Sequence, residues 1–396
     1  MWVETREINN MISILDRVFG RETKTSAAKR LIALTLGSRA AWTPRDYTAL
    51  AREGFARNPV AHRCVRLIAE AAAAAPLKVL RGGEVREDDP AAAMLARPNP
   101  DQSGAELLED HYGYLQVAGN AYLELAALDG TPRELFALRP DRMRVLPGPR
   151  GWPDGWEYTV GGRSVRFARD RASGQSPILH ARLFHPSDDH YGLSPLEAAA
   201  AAVDVHNAGG AWAKALLDNA ARPSGALVVT AKEGEGRLTD DQYERLKAEL
   251  ADAHAGPSNA GRPMLLEGGL DWKPMALTPA DMDFSGARRE AAREIALAFG
   301  VPPMLLGLPG DNTYANYREA NLAFWRHTVL PLARKTAASL TGWLQPWFGA
   351  DLTVTVEEDR LPALAEERAA RWAQIGAADF LSADEKRALL GIGGEP

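Results

Sequence analysis

Residues 300–325 read GVPPMLLGLPGDNTYANYREANLAFW. Gly300 stands where a left-handed helix end belongs, directly after the helical run EIALAF. Pro302 and Pro303 predict an extended exit from that helix, and Gly307 and Gly310 loosen the loop beyond it. Asp311, Asn312 and Thr313 then form a small polar tip. From Asn316, with Glu319 in the capping-box position, the spacing predicts a helix to about Leu344, roughly 43 Å long. Pro331 lies in its middle and predicts a kink, because proline removes one helical hydrogen bond and crowds the preceding turn. A polar Gly/Pro loop set before the longest helix is open to three readings: a catalytic loop, a ligand lid or a mechanical part.

Upstream, NPVAHRCVRLIAEAAAAAPLKVL reads as a helix capped by Asn58 and Pro59, ended by Pro76 and followed by a strand. WTPRDYTALAREGF reads as a helix with a capping box from Thr43 to Asp46. The run ELFALRPDRMRVLP, the pair WEYTV and RSVRFA around Gly161-Gly162, and ILHARLF read as strands. Ser194 and Pro195 open a helix that returns to the strand-like RPSGALVV. Between 238 and 300 the reading is helix (from Thr239, with Gln242 in the box), two short strand-like runs around Gly268-Gly269, then helix (box Thr278 to Asp281). A hairpin carried on two helices projects from a body rather than completing a core. LTVTVEED is a late strand, and a terminal helical unit carries a box at Ser382 and Glu385. The fold class is therefore α+β.

Forty-six Lys and Arg against 52 Asp and Glu leave a net charge of −6 in 396 residues. That argues against a protein whose main task is tight, static nucleic-acid binding, since such binding rests on excess cations. It leaves open a protein that nucleic acid slides past. The lone cysteine, Cys64, allows no internal disulfide and fits a reducing compartment. No apolar run approaches the roughly 18 residues that span a bilayer, and no signal peptide precedes residue 11. Residues 1–40 are basic and patchy, and read as an arm or a short helix, with Met11 as a second candidate start.

Sequences that mark nucleotide motors, dinucleotide enzymes, zinc proteases or serine hydrolases are missing: there is no GxxxxGK[ST], GxGxxG, HExxH or GxSxG. One enzyme-like cluster remains. His185, Asp188, Asp189 and His190 in HPSDDHYGLSPLE offer imidazole and carboxylate ligands of the kind that suits a divalent metal, and would make a metal-dependent hydrolase. Against this, the same residues make an ordinary polar loop leading to the Ser194 cap. His180 alternates with apolar neighbours and reads as a satisfied strand residue. Arg288, Arg289 and Arg293, interleaved with Glu290 and Glu294, read as a solvated helix face, with a nucleic-acid backbone or a neighbouring subunit as the other readings. The ten tryptophans scatter as core or interface anchors rather than as a base-stacking platform.

The order of motifs across nearly the whole chain resembles the portal proteins, or head–tail connectors, of long-tailed double-stranded DNA phages, and most of all the compact portals of gene transfer agents or prophages. The matching stretches are NPVAHRCVRLIAEAAAAAPLKVL, LARPNP, GNAYLELA, LRPDRMRV, YGLSPLEAA, NAARPSGAL, LEGGLDWKPMAL, EIALAFGVPPMLLG and TYANYREANLAFWRHTVLPLA. Each is weak alone; their order and spacing together are specific. The chain departs from portals with a long C-terminal helical barrel, because only a short helical stretch lies beyond Leu361.

The resemblance implies a portal-type fold: an arm at 1–44, a wing at 45–237 and 293–360, stem helices at 238–252 and 281–292, a clip at 253–280 and a short crown at 361–396. It implies a tunnel loop at 305–315 whose DNA-facing part is Leu308, Pro309, Gly310, Asp311, Asn312 and Thr313, carried by the helix kinked at Pro331. In the clip, Leu265, Leu266, Trp272 and Pro274 would meet neighbouring subunits, the head–tail adaptor and terminase. The protein would be a homododecamer in a virion or gene-transfer particle, assembled in the bacterial cytoplasm. Its partners would be the major capsid protein, the adaptor, the terminase large subunit and double-stranded DNA without sequence preference. No catalytic residue, cofactor, metal or membrane is implied. A minor capsid or scaffold protein without a channel is the remaining alternative.

Overall fold

The structure is a computed structural model. It describes residues 42–86, 88–149, 151–218, 225–229, 241, 244–245, 270–274, 283–309 and 314–390. The element order begins with helix α1 (Tyr47–Leu50), continued by a π-helical stretch Ala51–Ala56, and α2 (Pro59–Ala73). Strands β1 (Leu77–Arg81) and β2 (Glu84–Val85) follow, then helices α3 (Pro90–Ala96) and α4 (Gly104–Ala118). Six strands come next: β3 (Asn120–Leu128), β4 (Thr131–Leu138), β5 (Met143–Pro147), β6 (Pro153–Val160), β7 (Arg163–Ala168) and β8 (Ile178–Arg182). Helices α5 (Pro195–Ala198) and α6 (Ala200–Asp218) precede strands β9 (Gly225–Val229) and β10 (Leu270–Pro274). The chain ends through α7 (Phe284–Ala298), α8 (Tyr314–Phe324), α9 (Leu330–Phe348), β11 (Leu352–Val356), α10 (Ala365–Gly376) and α11 (Ala383–Leu390).

Every described sheet is small and antiparallel, so the α+β expectation holds. β1 pairs with β11 in the register Leu77↔Val356, which closes the second half of the chain onto the first. Arg81 pins that closure. Its guanidinium donates to Asp89 at 2.6 Å and to the Phe348 carbonyl at 2.8 Å, at the end of α9. Asp89 in turn caps α3 through the Ala91 amide. β3 lies between β4 and β8, and β5, β6 and β7 form a separate meander. At its hairpin, Gly161 and Gly162 adopt φ of 56° and 79°, which only glycine takes without strain.

Three apolar clusters hold these layers. The first gathers α2, α4, α5, the start of α6, α7 and Val301 around the fully buried Ile68, Tyr112, Leu196 and Ile295. The second joins the β1–β11 sheet to α3, α9 and β3 around Leu340, Leu344 and Leu123. The third is a smaller cluster around Trp156 and Tyr122. Trp325, just beyond α8, packs against both the first and the second.

Most helix starts behave as the caps predict. Asn58 Oδ1 accepts from the Val60 and Ala61 amides, and the expected box at Ser382–Glu385 is complete; a further box, not among those expected, forms at Ser103–Glu106. Thr43 is different. Its amide and hydroxyl both donate to the Asp204 carboxylate on α6, and Asp46 caps α1 instead through the Ala49 amide. A tertiary carboxylate displaces the local cap there. The boxes expected at Thr239–Gln242 and Thr278–Asp281 lie outside the described residues. The described part of α7 is capped by Asp283, whose Oδ1 accepts from the Gly286 amide.

Candidate functional site

The root of the loop at 300–315 is closely determined. The Gly300 amide donates to the Leu297 carbonyl and the Val301 amide to Ala296, the paired bonds of a left-handed helix stop, with Gly300 at φ 64°. Val301 is then buried in the first cluster. Pro302 is extended, as its ring requires. Pro303 does not prolong that exit: it opens a 3-10 turn, Pro303–Leu306, which closes the same way at Gly307, φ 70°, with Leu308 N–H donating to the Pro303 carbonyl. Leu305 and Leu306 pack onto the first cluster. Gly307 therefore ends a turn rather than loosening the chain.

Two side chains brace this root from outside. Arg293 on α7 donates to the Pro309 carbonyl. Thr328 Oγ1 donates to the Gly300 carbonyl at 2.6 Å. Gly310 to Thr313, the polar tip, lie outside the described residues.

Thr328 can reach Gly300 because the long helix is not uniformly α-helical. It runs from Tyr314 to Phe348 but passes through a π-helical turn at Trp325–Val329. There the Leu330 amide donates to Trp325, five residues back. Pro331 suits the position of the turn. It has no N–H for the His327 carbonyl four residues back, and its ring would press on that carbonyl in a regular helix. A widened turn relieves the crowding. The expected break at Pro331 thus takes the form of a π turn before the proline. The helix also starts at Tyr314, so Asn316 sits inside its first turn rather than capping it. Thr313, the residue before the first helical one, is equally a capping type. Arg326, within the turn, pairs with Glu367, and Arg318 on α8 with Glu366 at 3.3 Å, joining the long helix to α10.

The alternative metal cluster is a loop built for its own closure. Asp188 Oδ1 accepts from the His190 and Tyr191 amides at 2.7 and 2.9 Å, which hold its carboxyl below the ordinary range. His185 Nδ1 accepts from the Ser187 amide, and the Asp189 carbonyl accepts from Arg182. Among the described residues no group of three or more His, Cys, Asp or Glu side chains is placed to hold a metal ion. His180 stacks on Tyr122 at 4.3 Å and bonds Asn120 at 3.0 Å; burial first, then Arg182 and His190, pushes its pKa down to about 3.

Of the clip residues, Trp272 and Pro274 lie on β10; Leu265 and Leu266 lie outside the described residues. β10 pairs with β9, Trp272 opposite Leu227, so the strand's partner here is the RPSGALVV strand. The two helices that flank this strand pair, α6 and α7, pack against each other along their length. Thr328 and Arg293, which support the loop, were not legible as such. Arg293 stood out only as one of three basic residues on a helix, and nothing in the local pattern marked Thr328.

The sequence model of the phage portal protein family matches residues 59–391. Among solved structures, a chain from the neck of a native gene transfer agent particle, computed with C12 symmetry, is 55% identical, with a TM-score of 0.68 over 90% of this chain and 96% of that one. A protein of Rickettsia bellii (strain RML369-C) is 41% identical over 342 residues, 86% of this chain and 88% of its own. The portal protein of Enterobacteria phage HK97 is 26% identical over 298 residues, 72% of this chain and 66% of its own. The match spans the loop, its π-turn brace, the α6–α7 pair and the β9–β10 ribbon together, and the chain belongs to the phage portal protein family.

Proposed function

We propose that this chain assembles into a closed ring of twelve copies at one vertex of a capsid, and that double-stranded DNA passes through the ring during packaging and ejection. The observation that carries the reading is the 55% identity, over 90% of the chain, to the neck chain of a particle computed with C12 symmetry. Such a ring needs a heterologous contact that closes on itself. Twelve helices spaced about 10 Å apart make a circle of roughly 120 Å circumference, and subtracting half a helix diameter on each side leaves a bore of roughly 28 Å, wide enough for one duplex. A net charge of −6 per copy suits a channel that must release its cargo, since each matched phosphate contact would add salt-dependent retention.

In this reading α6 and α7 are the stem pair, and β9–β10 at their far end starts the clip, where the adaptor and terminase attach. α7 overlaps the 281–292 stem segment named from the sequence, and α6 is added here because it packs against α7 and the two flank the paired strands; of 238–252 only residues 241, 244 and 245 are described. Leu308 to Thr313 face the channel, on a root held by Gly300, Arg293 and Thr328. The chain carries no active site of its own; the His185–His190 hydrolase is the weaker reading, since the His185 and Asp188 side chains are spent on turn closure.

Negative-stain electron microscopy of the purified protein tests the assembly. Rings with a central hole are expected. Monomers alone, at high concentration and with capsid protein present, overturn the ring; compact particles without a hole favour the scaffold.

A further inference from the structure

Among the described residues at the seam between α6 and α7, hydrogen-bond donors outnumber acceptors. Asn58 sets the count. Its Oδ1 is used by the Val60 and Ala61 amides, so its Nδ2 must face the other way, 3.2 Å from His206 Nδ1 and 3.0 Å from Asn207 Oδ1. Turning the amide over would set its N–H groups against two backbone N–H groups. His206 Nδ1 is therefore the acceptor, and the ring proton sits on Nε2. Nε2 faces Arg288 Nε at 3.3 Å. A guanidinium has no acceptor, and the imidazole has already used its one lone pair on Asn58. The Arg288 Nε–H is directed at Nε2, where this tautomer offers no lone pair, and protonating His206 would set a second donor against Asn58.

His206 is 6% exposed, while Arg288 beside it is exposed. Gly209 and Gly210 are poor helix formers inside a helix. They leave room beside Arg288: a Cβ at Gly210 would already touch its Cζ and Nη2 at 3.9 Å, and any longer side chain would fill the space. The space is a cleft of about 370 Å³ lined by Arg57, Pro59, His206, Asn207, Lys214 and Arg288. Among the described residues no carboxylate pairs with Arg288.

We propose that this cleft seats one phosphate group, which accepts from His206 Nε2 and from the Arg288 guanidinium together. The ion turns a donor–donor clash into two charge-assisted hydrogen bonds. Phosphate fits better than a planar carboxylate because its oxygens accept from several directions at once, and the donors here come from two helices. The same chemistry is offered by free inorganic phosphate and by the backbone of DNA. The inference stands on these side chains and does not rest on the ring.

The thermal midpoint of the purified protein, titrated with sodium phosphate and with sodium chloride at matched ionic strength, tests it. Phosphate should raise the midpoint saturably above chloride. The excess should vanish in Arg288→Gln and in His206→Gln, each read as phosphate minus chloride within the same variant, so a general loss of stability does not confuse it. Fluorescence anisotropy of a short labelled duplex then names the source. If DNA supplies the phosphate, Arg288→Gln weakens duplex binding and lowers the slope of log K against log salt by about 0.9 per seat lost. If duplex binding is unchanged while the phosphate excess is lost, the seat takes the free ion. Equal midpoints in phosphate and chloride for the unmodified protein overturn the proposal, as does an undiminished excess in Arg288→Gln. Loss of assembly in Arg288→Gln without any phosphate effect assigns the cleft to a carboxylate of a neighbouring copy, and also overturns it.

Discussion

Thr328 Oγ1 lies 2.6 Å from the carbonyl oxygen of Gly300 and donates to it, across a sequence separation of 28 residues. The same hydroxyl stands 2.9 Å from where a Cβ on Gly300 would be, which is closer than real Cβ contacts come. One side chain thus fastens the end of α7 to the π turn of the long helix and disfavours any residue but glycine at the junction.

Gly300→Ala should therefore be costly. The left-handed backbone alone accounts for about 1 kcal/mol, and the contact with Thr328 adds to it, for a loss of about 1–3 kcal/mol. In a Thr328→Ala background the penalty should shrink by about 0.5 kcal/mol or more, because the clash is removed. Denaturant midpoints of the four proteins in this cycle measure it. Strictly additive losses would show that the two residues do not press on each other.

Pro331→Ala should leave the fold in place and change stability by less than about 1 kcal/mol. Val329, Leu330 and Phe324 are buried on either side of the π turn, and closing it would swing one side by about 100° out of register. The turn is then held by the cores, while Pro331 denies the competing hydrogen bond to His327. A structure of the variant should still show Leu330 N–H on Trp325; a straight α-helix there would assign the turn to the proline alone.

Shortening the loop from Leu308 to Thr313 should leave correctly sized rings that package DNA poorly or leak it. Asn312→Ala should be mild. Asp311→Arg should slow translocation, because it adds a phosphate contact in every copy. DNA content per particle is the measurement. Wild-type content in both the shortened loop and Asp311→Arg would reduce the loop to a connection.

His111 carries a pH dependence. It is fully buried between α4 and α9, with Nδ1 unpartnered and Nε2 3.5 Å from Thr336, and burial pushes its pKa down to about 4. The unfolded chain binds this proton near pH 6.5, and the folded protein only near 4. The contribution is thus complete above about pH 6.5 and is lost as pH falls toward 4, with a total of about 3 kcal/mol. Stability followed from pH 7 to 4 should fall less steeply in His111→Gln than in the unmodified protein, whatever the variant's stability at pH 7. Parallel curves would show that His111 is not the group responsible.

Much of the local structure could be read from short-range chemistry. Asn58, Ser103 and Ser382 cap helices because their side-chain oxygens reach the next amides whatever the rest of the chain does. Gly161-Gly162 turns and Gly300 stops a helix because only glycine takes a positive φ cheaply. Pro331 disturbs its helix because its ring is covalently fixed. Motif order carried the family, because the resemblance spans the chain rather than one segment. The pairing of elements was decided at long range. Thr43 gave up its local box for Asp204 on α6, and β10 found β9 across a separation that alternation cannot encode. The brace on the loop root is of the same kind. A hydroxyl at 328 and a guanidinium at 293 acquire meaning only when the π turn and α7 bring them to Gly300 and Pro309. Caps, turns and breaks are settled within a few residues by backbone sterics and short hydrogen bonds. Which strand pairs, which helices lie together and what holds the loop are settled by burial shared among distant segments, and only the tertiary structure decides that.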